Sequence, residues 1–294
     1  MSAGFSRHMT FSWSQSSNRV KKCYDGISFG ISKLGELHYN TIVFAHFAPR
    51  FECFCMRISL FIPCYVDAFY PSVGISVVEV LERLGHTVVC PPGVACCGQP
   101  AFNSGYWPEA RQVALGVLKA YQNADAVVVA SGSCAAMLKK FYPQMFQGTP
   151  QSEAALALAE KVWEFSDFLV TQLGVTDVGA RFPATVTFHD GCHGLRELGV
   201  QSQPRTLLSH VRELSLIEMT EAQTCCGFGG AFAVKFAPIS TAMGEVKCAS
   251  ALETGADYLV SNDSSCLMHL QGMLNRQRQP LRSLHLAEVL ARTK

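Results

Sequence analysis

The sequence predicts an α/β protein built from two similar parallel-sheet halves with a helical connector between them. Three observations predict it: strands and helices alternate from Met56 onward, the cysteines recur at a near-constant offset, and each half carries a Cys-Cys-Gly triplet. Alternation of this kind implies parallel strands joined by right-handed crossovers.

The chain has 294 residues, of which 49% are hydrophobic and 16% charged, with a net charge of +1. At about 150 residues per domain, that length suits two domains and cores that need no disulfide staple. The charge balance offers no basic face for nucleic acid and no charged tail. No stretch reaches the roughly 18 apolar residues of a membrane span, and no secretory leader is evident. The expectation is a cytoplasmic protein, in which clustered cysteines mean metal or redox chemistry rather than structural disulfides. Charge content below the roughly 25% of typical soluble domains leaves room for apolar surface held against a partner.

Residues 1–55 are rich in Ser and aromatics and carry no period of 2 or 3.6. They read as a poorly ordered extension, with Met56 a plausible start. The first domain is expected over 56–150. In it, Ile58–Pro63 reads as a buried strand, and Val73–Leu84 has helical spacing ending at Gly85. His86–Cys90 reads as a strand, Pro108–Asn123 as a helix, Ala126–Ala130 as a buried strand and Cys134–Phe141 as a helix. An amphipathic stretch, Ser152–Leu173, ends at Gly174 and reads as one long helix, so 151–174 is the expected connector.

The second domain, 175–294, repeats the order. Strands are expected at Ala184–Phe188, Leu216–Met219, Asp257–Ser261 and Arg282–Leu286. Helices are expected at Arg205–Val211, Ile239–Glu253 and Cys266–Arg276, with a last one ending at Glu288–Arg292.

Cys64, Cys96, Cys97 and Cys134 in the first half match Cys192, Cys225, Cys226 and Cys266 in the second, at offsets of 128, 129, 129 and 132. Of the ten cysteines after Met56, only Cys90 and Cys248 fall outside the repeat, and these read as buried, inert thiols. Such self-similarity marks a duplication. Each of the eight lies after a predicted strand, and loops after parallel strands gather on the edge where open α/β sheets bind ligands. Each half can therefore bring four thiols to one point, with helix N-termini favouring thiolates and a glycine letting backbone approach a bulky ligand.

Four thiolates suit a soft metal. Adjacent cysteines are awkward around one tetrahedral zinc, whereas a multi-iron cluster offers spaced sites. The pattern favours an iron–sulfur cluster in each half, of unspecified type, with zinc and plain dithiol chemistry as alternatives. His189 and His193 flank Cys192. They read first as histidines hydrogen-bonded at a strand end, and second as proton carriers or ligands. Arg196 and Lys235 read as surface cations, with carboxylate binding as the alternative. There is no G-x-G-x-x-G or Walker A sequence, so no NAD, flavin or nucleotide site is expected. There is no ferredoxin-type cysteine run either.

From about Met56 the chain resembles the tandem CCG family of cysteine-rich iron–sulfur proteins. The resemblance rests on Cys-Cys-Gly-Gln-Pro-Ala-Phe-Asn-Ser-Gly (96–105), Ser-Gly-Ser-Cys (131–134), Cys-Cys-Gly-Phe-Gly-Gly-Ala-Phe-Ala-Val-Lys (225–235) and His-Leu-Ala-Glu-Val-Leu (285–290). Family members serve as subunits of glycolate oxidase, of heterodisulfide reductase and of a three-protein L-lactate oxidation system. The resemblance to the last implies a non-autonomous oxidoreductase subunit that passes electrons during lactate oxidation to pyruvate; the alternatives are a glycolate oxidase or heterodisulfide reductase type subunit, or a structural metal-binding interaction module without a redox role. Implied with it are a small 2-hydroxy acid substrate and partner subunits, one a ferredoxin-type iron–sulfur protein, with membrane association possible only through partners. One departure stands out. The family pattern ends each domain in Cys-x-x-Cys, and here the first of those positions is Ser131 or Asp263. Both read as helix caps, with an oxygen ligand as the alternative.

Overall fold

The computed structural model describes residues 55–94 and 96–294, so the expectation for residues 1–54 lies outside the described residues. The first half holds strands β1 (Arg57–Phe61), β2 (Thr87–Val89), β3 (Ala126–Val129) and β4 (Val162–Glu164), all parallel and ordered β2-β1-β3-β4. The second half holds β5 (Arg181–His189), β6 (Arg212–Leu216), β7 (Tyr258–Ser261) and β8 (Arg282–His285), parallel in the same order, β6-β5-β7-β8. β3 is Ala-Val-Val-Val with every residue buried, the unbroken apolar run of a parallel strand covered on both faces.

The helices of the first half are α1 (Cys64–Phe69), α2 (Pro71–Arg83), α3 (Gln99–Asn103), α4 (Trp107–Tyr121) and α5 (Gly132–Ala136). A π-helical turn, Met137–Phe141, leads from α5 into α6 (Tyr142–Met145), and α7 (Ser152–Lys161) precedes β4. Then come α8 (Phe165–Asp167), α9 (Cys192–Leu198), α10 (Ser202–Ser209), α11 (Ala231–Lys235), α12 (Ala237–Glu253), α13 (Ser264–Arg276) and α14 (Leu286–Ala291).

Two sequence expectations are corrected. Ser152–Leu173 is not one helix: α7 stops at Lys161, Val162–Glu164 joins the first sheet beside β3, and α8 with a π-helical turn follows. Val162 is fully buried against β3, so tertiary pairing overrides helical spacing there. The strand expected at Leu216–Met219 lies earlier, at Arg212–Leu216. It is a sheet edge with mostly polar, part-exposed residues, and the apolar run that drew the reading forward lies in the following loop.

The halves are interlocked by reciprocal contacts. The helix that follows β4, α8, packs on α10 of the second half, and the helix that follows β8, α14, packs on α2 of the first. Likewise α9 packs on α5, and α13 on α1. One core runs through this interface, joining Val73, Val77 and Phe168 to Phe188, Leu286 and Val289. Burial of each large apolar side chain there contributes about 1.5–3 kcal/mol. Arg83 adds polar links, donating to the carbonyls of Val178 (3.0 Å), Leu290 (3.0 Å) and Ala291 (2.6 Å), so the first half caps the C-terminal helix of the second.

Candidate metal centre

All eight repeat cysteines stand where the parallel strands end. Cys64 opens α1 after β1, and Cys192 opens α9 after β5. Cys134 and Cys266 are the third residues of α5 and α13, after β3 and β7. The doublets Cys96–Cys97 and Cys225–Cys226 occupy loops after β2 and β6. The glycine after the second doublet is required. Gly227 has φ +88°, and a Cβ there would stand 2.5 Å from the Ser240 carbonyl. Its counterpart Gly98, at φ +81°, meets the Ala110 carbonyl in the same way at 3.2 Å.

Within each half the thiols form a chain in one order: Cys64–Cys96–Cys97–Cys134 and Cys192–Cys225–Cys226–Cys266. The Cys97 and Cys134 sulfurs lie 3.3 Å apart. None of the eight is in a disulfide. In each chain the first two thiols, Cys64 and Cys96 or Cys192 and Cys225, are half-buried, and the last two, Cys97 and Cys134 or Cys226 and Cys266, are buried. The Gly98 N–H donates to Cys96 Sγ (3.3 Å) and the Gly227 N–H to Cys225 Sγ (3.4 Å).

The electrostatics repeat as well. Hydrogen bonds from Cys64 and Cys97 hold Cys96 far below the ordinary thiol range, outweighing burial. Those from Cys192 and Cys226 do the same for Cys225. The donors rise in return: Cys64 and Cys192 through the hydrogen bond each gives and then burial. Cys97 and Cys226 rise because each is tied to two thiols and buried. Each quartet thus holds a thiolate cradled by neighbouring thiols, the protonation state from which soft metals are bound. Outside the repeat, burial pushes the Cys248 thiol up to about 11, as an inert core cysteine requires.

One cavity of about 320 Å³ is lined by Cys64, Cys97 and Cys134 together with Cys192, Cys225, Cys226 and Cys266, so both quartets face it. Ser131 and Asp263 line it too, but their oxygens are engaged. Asp263 caps α13, its Oδ1 accepting from the Ser265 N–H (3.2 Å) and hydroxyl (2.6 Å). Its Oδ2 reaches across to the first half and accepts from the Ser133 N–H (2.9 Å) and the Ser131 hydroxyl (3.2 Å). Asp263 is therefore a cap, as the sequence suggested, and caps both cysteine helices. Ser131 makes no cap bond to its own helix. The helices meet closely here: a Cβ on Gly132 would stand 3.2 Å from Gly194 Cα.

His189 departs from its expectation. It is fully buried, and neither ring nitrogen has a hydrogen-bond partner. Burial, then Lys247, push it down to about 3. A ring nitrogen and the sulfurs of Cys226 and Cys266 lie within 4.8 Å of one another. His193 lines the cavity, with Nδ1 3.7 Å from Cys192 Sγ and its ring edge-on to Phe141. Arg196 and Lys235 are exposed, and neither lines the cavity. Sequence reasoning missed Lys247. It is fully buried in α12, donates to the Glu221 carbonyl, and is pushed down to about 8 by burial, an effect opposed by Cys226 first among its neighbours. Its one sequence signal is a lysine beside Cys248 in an otherwise small and apolar helix turn.

Two copies of one α/β domain, each offering four thiols after its strands, define a tandem cysteine-rich protein whose donor set suits a metal or an iron–sulfur cluster. The CCG cysteine-rich domain family matches twice, over residues 58–139 and 186–271, and the chain belongs to it. The chain is 47% identical over 236 residues to lactate utilization protein A of Geobacillus thermodenitrificans, covering 80% of this chain and 98% of that one. It is 48% identical to the protein of the same name from Geobacillus kaustophilus over the same shares, and 47% identical to that of Bacillus pumilus. Among solved structures, a hypothetical protein from Helicobacter pylori shares the fold at a TM-score of 0.52 and 10% identity. The match covers 80% of this chain and 48% of that one.

Proposed function

We propose that this chain is the iron–sulfur component of a lactate-oxidising system and passes electrons through cysteine-held clusters, one per half. The observation that carries the cluster reading is the pair of matched thiol quartets on one cavity. Cys64, Cys96, Cys97 and Cys134 would hold one group, and Cys192, Cys225, Cys226 and Cys266 the other. The residues fit such a group: soft donors, no disulfide competing for them, and backbone N–H groups already aimed at sulfur. When bound, an iron–sulfur cluster supplies one-electron uptake and release. The buried Cys97 and Cys134, and Cys226 and Cys266, keep water from one side of each quartet, and the half-buried Cys64 and Cys96, and Cys192 and Cys225, leave the other side accessible.

The substrate class rests on the names of the relatives. Oxidation of lactate to pyruvate releases two electrons and two protons, and the electrons require an acceptor. The chain has no nucleotide, flavin or ferredoxin-type motif, so we assign the acceptor to another polypeptide of the system, a ferredoxin-type iron–sulfur protein. Among the described residues no helix is long and apolar enough to cross a membrane, and the reading places the protein in the cytoplasm. It also expects a chain beginning at Met56 to fold and hold the same metal.

The test is anaerobic purification with iron and acid-labile sulfide assays, followed by lactate-dependent reduction of an artificial acceptor with and without partner proteins. A brown, iron-loaded protein that turns over only with partners is expected. A colourless zinc protein overturns the cluster reading. Full turnover by the isolated chain overturns the assignment as a dependent subunit.

A further inference from the structure

The second quartet has a fifth donor that the first lacks. His189 ends β5, is fully buried, and brings a ring nitrogen within 4.8 Å of the sulfurs of Cys226 and Cys266, both buried themselves. Neither ring nitrogen makes a hydrogen bond. The nearby Ala222 carbonyl already accepts the Asp190 N–H at 3.0 Å and makes no bond of ordinary geometry with the ring. Buried polar groups without partners are rare, and two on one imidazole, beside two thiols, call for a ligand that occupies at least one of them.

Of the oxygen groups that line the cavity, those of Ser131 and Asp263 are committed elsewhere, while the buried Ser264 hydroxyl, a neutral and weaker donor to a soft metal, has no hydrogen-bond partner. The side-chain hydrogen bonds of Asp263 go to the caps of α5 and α13 and to two hydroxyls, one of them that of Ser131. In the first half the place of His189, three residues before the strand-end cysteine, is held by Phe61, which offers no donor and packs in the core with Cys97 and Cys134.

We propose that His189 is a nitrogen ligand to the metal centre of the second half, giving it a mixed thiolate–imidazole donor set beside the all-thiolate set of the first. The inference rests on the iron–sulfur reading above and assigns it an asymmetry that the cysteine repeat alone does not contain. Imidazole is a competent donor to iron, and a second donor type is a recognised means of setting two clusters at different potentials.

The experiment uses full-length protein purified anaerobically from cells fed natural or ¹⁵N-labelled histidine, and reads nitrogen hyperfine coupling by pulsed EPR in the reduced state. The expected result is a coupling that changes on labelling. It should be lost in His189→Phe, which installs the side chain used at the matching place in the first half. It should persist in His193→Ala. Should His189→Phe not fold, Cys97→Ser and Cys226→Ser carry the test: the coupling is to survive the first and vanish with the second. An iron-loaded wild type without histidine coupling overturns the inference and leaves the cluster reading standing. So does a coupling that survives in His189→Phe or that follows Cys97. A wild type that binds no iron overturns both.

Discussion

Three residues before Cys64 stands Phe61, and three before Cys192 stands His189. On the helix that backs each doublet, Gly98 faces Ala110 and Val113, and Gly227 faces Ser240 and Met243. Four residues further along come Val117 and Lys247, both fully buried. The first quartet therefore sits among Phe61, Val117 and Tyr142. The second has a buried imidazole and a buried ammonium group beside it. Duplication kept the thiol scaffold while the surrounding charge diverged. A buried cation favours the more negative, reduced form of any redox group beside it, so on the proposed function a cluster in the second half would take up an electron more readily than one in the first.

The largest effect that would break the comparison comes from the cysteines. Cys97→Ser and Cys226→Ser are each expected to remove about half of the bound iron and sulfide and to destabilise their own half, because metal binding is coupled to folding. Cys90→Ser and Cys248→Ser are expected to leave iron intact. Loss of all metal from either doublet variant would mean that the halves do not load separately. Next is Asp263→Ala, which uncaps two helices and strands the Ser133 and Ser265 N–H groups. A loss of about 4 kcal/mol is expected in urea unfolding. A cost confined to one cap, about 1 kcal/mol, would show that the link between halves is slack.

The third concerns matching positions with opposite chemistry. Glu164 ends β4 and caps α8; His285 ends β8 and caps α14. Burial raises Glu164 to about 7 and lowers His285. Stability from a raised carboxyl is fully present below the unfolded value near 4.5 and is lost as pH climbs through about 7. Stability from a depressed histidine is present above its unfolded value near 6.5 and is lost as pH falls. Glu164→Gln is therefore expected to gain up to about 3 kcal/mol on wild type between pH 4.5 and 8. His285→Asn, which keeps a cap without a titration, should instead narrow the acid-side loss. Parallel urea titrations across pH measure both, and identical profiles for the two variants would remove the distinction. The smallest effect is Gly132→Ala. Its Cβ would crowd Gly194, for a loss of about 1–3 kcal/mol, although the matching place in the second half is occupied by Ser264.

The parallel sheets and the quartets were legible because buried strands are continuous apolar runs and because cysteines at matched offsets are conspicuous in a sequence of ordinary composition. β4 was not, since three residues carry too little period to break the helical pattern on either side of them, and only pairing with β3 makes them a strand. β6 was displaced because an edge strand needs no apolar alternation. The reach of Asp263 into the other half spans 130 residues or more, and no local signal encodes it. His189 was visible as a residue, but its missing partners are a property of packing. Lys247 was hidden by its helix.

The carboxylate shared between α5 and α13 has one further consequence. A lone copy of this domain would contain only one of the two helices, and nothing from a neighbour to reach it. The reciprocal seating of α8 on α10 and α14 on α2 has the same character: each copy leaves a helix that only another copy receives. These are the contacts of an isologous dimer. The tandem chain is the covalent form of that dimer, and tethering freed its two protomers to stop being identical.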